Sequence, residues 1–246
     1  MEKMKFKLKR YQKKNNYSYS FGAYPTIDLL KYRKDSVLRV LLKENAMSSD
    51  GVKELVGLCE SHSIEVEVND RLIDKIAFKE NTYVVGVFEK YETDLDLKSN
   101  HIVLVEPSNT GNIGTIVRGM LGFGFKDLAI IKPAVDFFEP MVVRSSMGAI
   151  FRLNYKYFNN IKEYIDEYSD HSLYPFMLDG AEDITKVKFK EPFSFIHGNE
   201  GRGLPSEYKD FGQSIYIPHS KDIDSLNLSV AACIGMWEFK RKSDIM

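Results

Sequence analysis

Short apolar runs alternate with segments of helical periodicity in the N-terminal part of the chain. Three of the runs have the length and composition of β-strands: 37–44 (VLRVLLKE), 64–69 (IEVEVN) and 82–91 (TYVVGVFEKY). Residues 49–62 are predicted as a helix capped by Ser49 or Asp50, and residues 70–77 as a short amphipathic helix. The alternation predicts a small α/β unit from about residue 20 to residue 91.

A polar segment, 92–100 (ETDLDLKSN), follows this unit and is the predicted linker to a second, larger unit. The larger unit contains five strand-like runs: 101–107, 128–131, 173–179, 193–198 and 214–219. Continuous apolar strands with helical stretches between them are typical of a parallel sheet covered on both faces. A core-packed helix is predicted over 225–242, with Ser225 as its N-cap.

Composition and charge narrow the function classes. The 246 residues are 43% hydrophobic and 28% charged, which is typical of a globular protein, and no run of 18 apolar residues or secretory signal is present. We therefore expect a cytoplasmic protein without a membrane partner.

Residues 1–43 carry twelve Lys and Arg side chains against three acidic ones, a net charge of +9 in a chain whose total is −1. This basic segment favours nucleic acid as a partner, and a solvated basic tail with no partner is the alternative.

Three polar loops follow predicted strands, where ligands bind in open parallel sheets: 107–119 (PSNTGNIGTIVRG), 197–205 (HGNEGRGLP) and 217–229 (IPHSKDIDSLNLS). Their spacing matches neither G-x-G-x-x-G nor a GK[ST] ending, which disfavours a P-loop or an ordinary dinucleotide site. Taken singly, Gly111 and Gly114 can be turn residues, Glu200 a cap of the following helix, and Ser225 and Asn227 caps of the last helix. Together the loops supply the Arg, Glu, Asn and Ser groups that a polar cofactor site needs.

The same loops carry a family resemblance. Residues 112–118 (NIGTIVR), 197–205 and 225–232 (SLNLSVAA) resemble the three ordered motifs of the SpoU/TrmH branch of the SPOUT RNA 2′-O-ribose methyltransferases, and 141–153 is also similar to that branch. The resemblance implies a parallel-sheet α/β domain with a trefoil knot over 97–246. Residues 1–96 resemble a small α/β RNA-binding domain with a ribosomal-protein-like fold, to which the basic segment belongs.

The resemblance also implies a cofactor, partners and site residues. The methyl donor would be S-adenosylmethionine, the substrate RNA, with rRNA favoured over tRNA, and the protein a homodimer. Cofactor contacts would come from six positions in the loops that carry the second and third motifs: Gly198, Asn199, Gly201, Ile217, Pro218 and Leu226. The catalytic group would comprise Arg118, Asn112, Glu200, Ser225 and Asn227. In the family this arginine is often assigned as the base, but arginine side chains stay protonated at neutral pH and are poor bases. Arg118 would instead bind the phosphate beside the target ribose, in its own site or in the partner's.

Two departures from the family pattern affect the interpretation. The loop 218–222 (PHSKD) replaces an apolar residue and a glycine, and His197 stands where apolar residues are usual. We expect neither His197 nor His219 to be the general base; His197 would end a strand and His219 would contribute backbone. The alternative functions are a non-catalytic RNA-binding protein that keeps the fold and, less favoured, a tRNA base methyltransferase.

Overall fold

A computed structural model describes residues 7–46 and 49–243, so the first six residues of the predicted basic segment lie outside the described residues. The chain divides into two compact units. One contains the residues through Tyr91 together with Asp136–Arg152, and the other contains Glu92–Val135 and the residues from Leu153 onward. Residues 136–152 thus pack with the N-terminal unit although they lie within the segment predicted as catalytic. The boundary between residues 96 and 97 stays a prediction.

The first unit is built on a mixed four-stranded sheet with strand order β1-β4-β2-β3. Its strands are β1 (Tyr17–Phe21), β2 (Val37–Leu42), β3 (Val66–Val68) and β4 (Val84–Glu89), and its helices include α1 (Ala23–Tyr32), α2 (Asp50–Ser61) and α3 (Asp70–Ile76). Strand β4 runs antiparallel to β1 and β2, and β3 runs parallel to β2. The three strands and two helices predicted for this part of the chain are confirmed.

Strand β1 was not predicted from periodicity because its sequence, YSYSF, reads as half polar. All five residues are nevertheless buried. The Ser18 hydroxyl donates to the carbonyl of Phe138, and the Ser20 and Thr26 hydroxyls are 2.8 Å apart. Burying a hydroxyl costs little once it has a hydrogen-bond partner, and these partners are supplied by other parts of the fold.

The segment 136–152 contributes α5 (Pro140–Ser145) and a short 3₁₀ turn to the first unit. The ring of Phe88 in β4 makes edge contacts with Phe138 and Phe151, each at a centroid distance of 5.2 Å. All three rings are buried. Removal of residues 1–96 would therefore strip apolar partners from a segment of the predicted catalytic part, so activity and binding are best measured on the full chain.

The second unit contains a five-stranded sheet with strand order β7-β6-β5-β10-β8, in which every neighbouring pair is parallel. Its strands are β5 (His101–Val105), β6 (Asp127–Ile131), β7 (Asn154–Phe158), β8 (Ser172–Pro175) and β10 (Phe193–His197), with β9 (Glu182–Asp183) and β11 (Ile215–Tyr216) as a separate parallel pair. Its helices are α4 (Thr110–Phe123), α6 (Ile161–Glu167) and α7 (Leu228–Ser243). The predicted parallel sheet is confirmed, but β7 was not predicted, and the predicted strand 214–219 corresponds to β11 of the separate pair. The trefoil knot stays a prediction.

Two sequence expectations for this unit need correction. The predicted linker 92–100 forms no helix or strand, but it packs on the second unit: Leu95 is buried and the Thr93 hydroxyl accepts from the backbone N–H of Tyr155 at 2.7 Å. The predicted N-cap Ser225 is also wrong. Helix α7 begins at Leu228, and the side chain of Asn227 accepts from the N–H of Ser229 at 2.9 Å.

Close approaches of backbone and side chains fix the position of α7. A Cβ on Gly119 of α4 would lie 2.6 Å from the Cys233 sulfur, and one on Gly235 would lie 2.6 Å from the Phe176 ring. Glycine at both positions lets α7 pack directly on its neighbours.

In the two described ranges, no helix combines the length and the apolar character that a bilayer crossing requires.

Candidate active site

The three predicted loops meet at the carboxyl edge of the five-stranded sheet. Strands β5 and β10 are parallel neighbours, with His197 paired opposite Leu104, so the loops that follow them leave the sheet side by side. The third loop, 217–229, connects β11 to α7. Parallel strand order therefore brings together segments that are about a hundred residues apart in sequence.

Glu200, in the loop after β10, holds the loop after β5. Its Oε2 accepts from the backbone N–H of Ser108 at 3.1 Å and from the Ser108 hydroxyl at 2.8 Å. Its Oε1 accepts from the N–H of Asn109 at 2.9 Å and from Nδ2 of Asn112 at 3.3 Å. The carboxylate thus satisfies amides just before α4 rather than capping the helix that follows it in sequence.

The ionisation of Glu200 follows from these contacts. Burial alone would raise its pKa, but hydrogen bonds from its own backbone N–H and from Asn109 and Ser108 outweigh burial and hold the pKa below the usual range. The side chain therefore stays a carboxylate at neutral pH. A carboxylate with a lowered pKa is a good anchor for amides and a poor proton acceptor.

Asn227 joins the third loop to the first. Its Nδ2 donates to Oδ1 of Asn112 at 3.1 Å, and its Oδ1 accepts from the Ser229 hydroxyl at 2.7 Å. Asn112 in turn donates to Glu200. The result is a chain of side-chain contacts, Glu200 to Asn112 to Asn227, that ties all three predicted loops to one another.

Glu106, which the sequence analysis missed, forms a second cross-link between the loops after β5 and β10. The Glu106 carbonyl accepts from Nδ2 of Asn199 at 2.8 Å, and its carboxylate pairs with Arg202 at 2.5 Å. Glu106 has a φ of 51°, an uncommon value for a residue other than glycine. The turn after β5 is therefore held in a strained conformation by its neighbours. A carboxylate directly after a buried strand was the only sequence signal for this role.

A cavity of about 500 Å³ is lined by the second and third loops, β11 and the segment after β8. Seven of the predicted site residues line it: Gly198, Asn199, Glu200, Gly201, Ile217, Ser225 and Leu226. The predicted residues Pro218, Asn112, Asn227 and Arg118 are not among its lining residues. Sequence reasoning missed several others, including Phe176, Leu178, Asp179 and Tyr216, which come from the β8 loop and β11. Those strands carry no polar motif that would have singled them out.

Gly198 is required by the tight packing of the second loop. A Cβ at this position would lie 2.2 Å from the carbonyl carbon of Gly203, which is closer than real atoms approach. The loop 198–203 thus folds back on itself, with the N–H of Gly203 donating to the carbonyl of Asn199 at 2.9 Å. This fold leaves loop backbone on the cavity wall.

The two histidines on the cavity wall differ in their surroundings. His197 ends β10 and is 1% exposed; its ring lies 4.1 Å from that of Phe176, and its Nε2 has no hydrogen-bond partner among residues 7–46 and 49–243. Burial lowers the pKa of His197 to about 3, so the imidazole is neutral. His219 is half-buried, and its Nδ1 donates to the carbonyl of Ile217 at 2.8 Å. Its side chain therefore stabilises the loop, which is more than the backbone role predicted for it.

The sequence matches the SpoU rRNA Methylase family over residues 99–237, more than half of the chain. The chain belongs to the SpoU rRNA methylase family. That stretch contains all three cross-linked loops and the cavity. It also contains the segment 136–152, which packs with the N-terminal unit.

Individual relatives agree with this membership. The chain is 28% identical over 172 residues to the 23S rRNA (uridine(2479)-2′-O)-methyltransferase of Streptomyces viridochromogenes, covering 65% of this chain and 60% of that one. It is 25% identical over 214 residues to the 23S rRNA (guanosine(2553)-2′-O)-methyltransferase of Bacillus subtilis, covering 81% and 85%. Of two further curated relatives the chain spans only 30% and 53% of the length.

Among solved structures, the chain is similar to the SpoU methyltransferase AviRb of Streptomyces viridochromogenes in complex with the cofactor AdoMet. The TM-score is 0.82 at 22% identity, over 94% of this chain and 92% of that one. The match covers both units. It confirms the fold expected of a SpoU family member, an N-terminal mixed-sheet domain followed by a parallel-sheet domain.

Arg118 closes the first motif of the family but is not part of the cross-linked group. It lies exposed on α4, and in ranges 7–46 and 49–243 its side chain has no hydrogen bond or ion pair. Those ranges also contain no group of three or more His, Cys, Asp and Glu side chains arranged to hold a metal ion. Among the predicted catalytic residues, Arg118 therefore has a side chain available to bind a ligand.

Proposed function

We propose that this protein transfers a methyl group from S-adenosylmethionine to a ribose 2′-hydroxyl of RNA, with rRNA favoured over tRNA. Family membership and the names of the two rRNA 2′-O-methyltransferase relatives support the reaction and its substrate class. The observation that carries the proposal is the Glu200 carboxylate, which ties the loops after β5 and β10 together at the mouth of the cavity.

The cavity fits a nucleoside-containing methyl donor. It combines apolar walls, loop backbone kept accessible by Gly198, and a buried imidazole nitrogen on His197 that no described residue hydrogen-bonds. Gly198, Asn199, Gly201, Ile217 and Leu226 would hold the cofactor, with Pro218 keeping the loop extended beside them. S-adenosylmethionine would supply an activated methyl group, so the chain itself need only bind, orient and handle a proton.

The roles of the catalytic group follow from its contacts. Glu200, Asn112 and Asn227 position the loops, because their polar atoms are used in cross-links. Ser225 lines the cavity and is free to orient a hydroxyl. Arg118, with no partner in the described part of the chain, is suited to binding the phosphate beside the target ribose and stabilising the developing oxyanion.

A homodimer is part of the proposal, because it explains how Arg118, which is exposed and does not line the cavity of its own chain, could serve a site. Helix α7 exposes Val230 and Trp237, which lie two helical turns apart and thus on the same face. Such a face is suited to burial against a second copy. Light scattering on the full chain tests this point: a mass near 57 kDa, twice the 28.3 kDa of one chain, is expected, and a monomer would contradict it.

Two measurements on the full chain test the function. Calorimetric titration with S-adenosylmethionine should give saturable binding, whereas the alternative, a non-catalytic RNA-binding protein, has no reason to bind it. Incubation with rRNA or tRNA from a strain lacking the gene, followed by mass spectrometry of nucleosides, should reveal a 2′-O-methylated nucleoside from rRNA. A methylated base from tRNA, or no product despite cofactor binding, would contradict the proposal.

A further inference from the structure

One edge of the four-stranded sheet in the first unit brings several segments together. Because β4 runs antiparallel to β1 and β2, the ends of β1 and β2 lie beside the start of β4. The N–H of Gly22 donates to the carbonyl of Val84 at 2.9 Å, and the N–H of Lys43 donates to the carbonyl of Tyr83 at 2.9 Å. The first turn of α1 and the segment after α3 reach the same edge.

Three aromatic side chains at this edge are exposed. Tyr24, in the first turn of α1, is 74% exposed, and Phe78 and Tyr83 are each 42% exposed. Phe78 is anchored by an edge contact with the buried ring of Phe21, at a centroid distance of 4.8 Å. Burying a large aromatic side chain stabilises a fold. Several exposed aromatic side chains grouped on one surface therefore indicate that this surface binds a partner.

Cations accompany two of these rings. The Arg144 guanidinium lies 5.7 Å from the Phe78 ring centroid, and the Lys43 ammonium lies 5.8 Å from that of Tyr83. Lys43 also pairs with Asp74, whereas Arg144 has no carboxylate partner in the described part of the chain. The first turn of α1 contains no acidic residue that would repel an anion beside Tyr24. We call Tyr24, Phe78, Tyr83, Lys43 and Arg144 the aromatic edge.

We propose that the aromatic edge binds unpaired nucleotides of the RNA substrate, by stacking bases on Tyr24 and Tyr83 and holding phosphate at Arg144. This inference rests on the proposed function, since it names the part of the substrate that the N-terminal unit recognises. Unpaired bases offer free faces for stacking, whereas bases inside a duplex are already stacked on each other. A partner protein would also cover aromatic side chains, but an unpaired arginine beside exposed rings matches the alternating base and phosphate of a single strand.

Fluorescence anisotropy with labelled RNA tests the proposal on the full chain. The probes are a single-stranded loop-forming oligonucleotide and a fully paired duplex of the same length. Tyr24→Ala and Tyr83→Ala should each weaken single-strand binding by about 5-fold to 100-fold. Tyr24→Phe should bind like the unmodified protein, because it keeps the ring. Arg144→Gln should weaken binding and reduce its salt dependence by about one phosphate contact.

Tyr32→Ala is the matched control. Tyr32 is also an exposed tyrosine on α1, but it lies at the opposite end of the helix and its ring stacks on Arg152 at 4.6 Å. This variant should change RNA binding less than about 2-fold, below the effect of a stacked base. Thermal melting of each variant checks that the fold is retained, which the exposure of these side chains predicts.

The outcomes separate this inference from the proposed function. Equal loss in Tyr24→Ala and Tyr32→Ala, no loss in either Tyr24→Ala or Tyr83→Ala, or equal affinity for duplex and single strand would each overturn the aromatic edge as an RNA site. Methyl transfer to rRNA would remain intact in that case. Conversely, selective loss of single-strand binding in a protein that never methylates RNA would support the aromatic edge and contradict the proposed reaction.

Discussion

Buried histidines lie at both ends of the five-stranded sheet, and the two ends differ in whether the imidazole nitrogens have hydrogen-bond partners. At the amino end, His101 bonds Tyr164 at 2.9 Å and the carbonyl of Asp96 at 2.8 Å, and His171 bonds Ser194 at 2.9 Å. At the carboxyl end, Nε2 of His197 has no hydrogen-bond partner in the part of the chain that the structure describes. A buried polar atom with partners stabilises the chain, whereas one without partners costs stability unless a ligand satisfies it.

The comparison shows how the fold separates stability from function. At the amino end the hydroxyls of Tyr164 and Ser194, 2.6 Å apart, complete a closed network within the chain. At the carboxyl end the carboxylates of Glu200 and Glu106 hold loops around an open cavity. Substitutions should therefore affect mainly melting temperature at one end and mainly activity at the other.

The largest expected effect is that of Glu200→Ala. It should lower methyl transfer at least 100-fold, because the loop after β5 loses its anchor and small misplacements of reacting groups are costly. Glu163→Ala is the control, since Glu163 also accepts backbone and asparagine hydrogen bonds, at the start of α6. Rates of methyl transfer and melting curves are compared. Similar rates for the two variants would contradict the assignment of Glu200 to the site.

A matched pair of histidine substitutions tests the comparison directly. His101→Phe should lower stability by about 2 kcal/mol, because the Tyr164 hydroxyl loses one of its two partners and the Asp96 carbonyl loses the imidazole. His197→Phe should cost less than about 1 kcal/mol, because no hydrogen bond is lost. Urea unfolding at pH 7.5 measures both. Equal losses would show that the partnered and unpartnered histidines do not differ as the contacts predict.

Stability should fall as the solution is acidified. Burial lowers the pKa of His101 to about 4 and also lowers those of His171 and His197, so the folded state favours their neutral forms. The stabilisation is complete above the unfolded pKa of about 6.5 and is lost as pH falls toward the folded values. Between pH 6.5 and pH 5 the loss from His101 alone is about 2 kcal/mol. The raised pKa of Asp127 opposes this trend only at lower pH.

Melting temperatures between pH 8 and pH 5 check this expectation. A decrease of several degrees is expected, since about 1 kcal/mol corresponds to about 2–4 °C for a chain of this size. The decrease should be smaller in His197→Phe than in the unmodified protein. A flat profile would indicate that these imidazoles bind protons without loss of the fold.

Asn227→Asp should lower methyl transfer about tenfold, because it removes the donor to Asn112 and places a negative charge near Glu200. The new carboxylate still accepts from the N–H of Ser229, so the cap of α7 and the melting temperature should be retained. The ratio of rate loss to stability loss is the measurement. A large drop in melting temperature with a normal rate would assign Asn227 to helix capping alone.

The smallest effect is expected for His219→Ala. It should reduce the rate less than about tenfold, below the usual range for loss of a general base. Its Nδ1 contact with Ile217 stabilises the loop, so weaker cofactor binding in calorimetry is the expected consequence. A variant that binds cofactor normally but does not transfer the methyl group would identify His219 as the base.

Local patterns in the sequence determined the elements of this protein and the position of its site. Apolar runs predicted β2 to β6, β8, β10 and β11, although burial on both faces, which requires such runs, holds for β4, β5, β6 and β10 and not for β3. Polar loops after strands predicted the site edge, because all carboxyl ends of a parallel sheet point the same way. The motif residues were therefore visible before their contacts were.

Only the tertiary structure decided which groups those residues contact. Glu200 binds Ser108 and Asn109, some ninety positions earlier, because strand order places β10 beside β5. Asn227 rather than Ser225 caps α7, because α7 packs on α4 and fixes where the helix begins. The serines of β1 are buried because distant segments satisfy their hydroxyls. Sequence periodicity reports which side of an element is buried, whereas hydrogen-bond partners depend on which elements become neighbours.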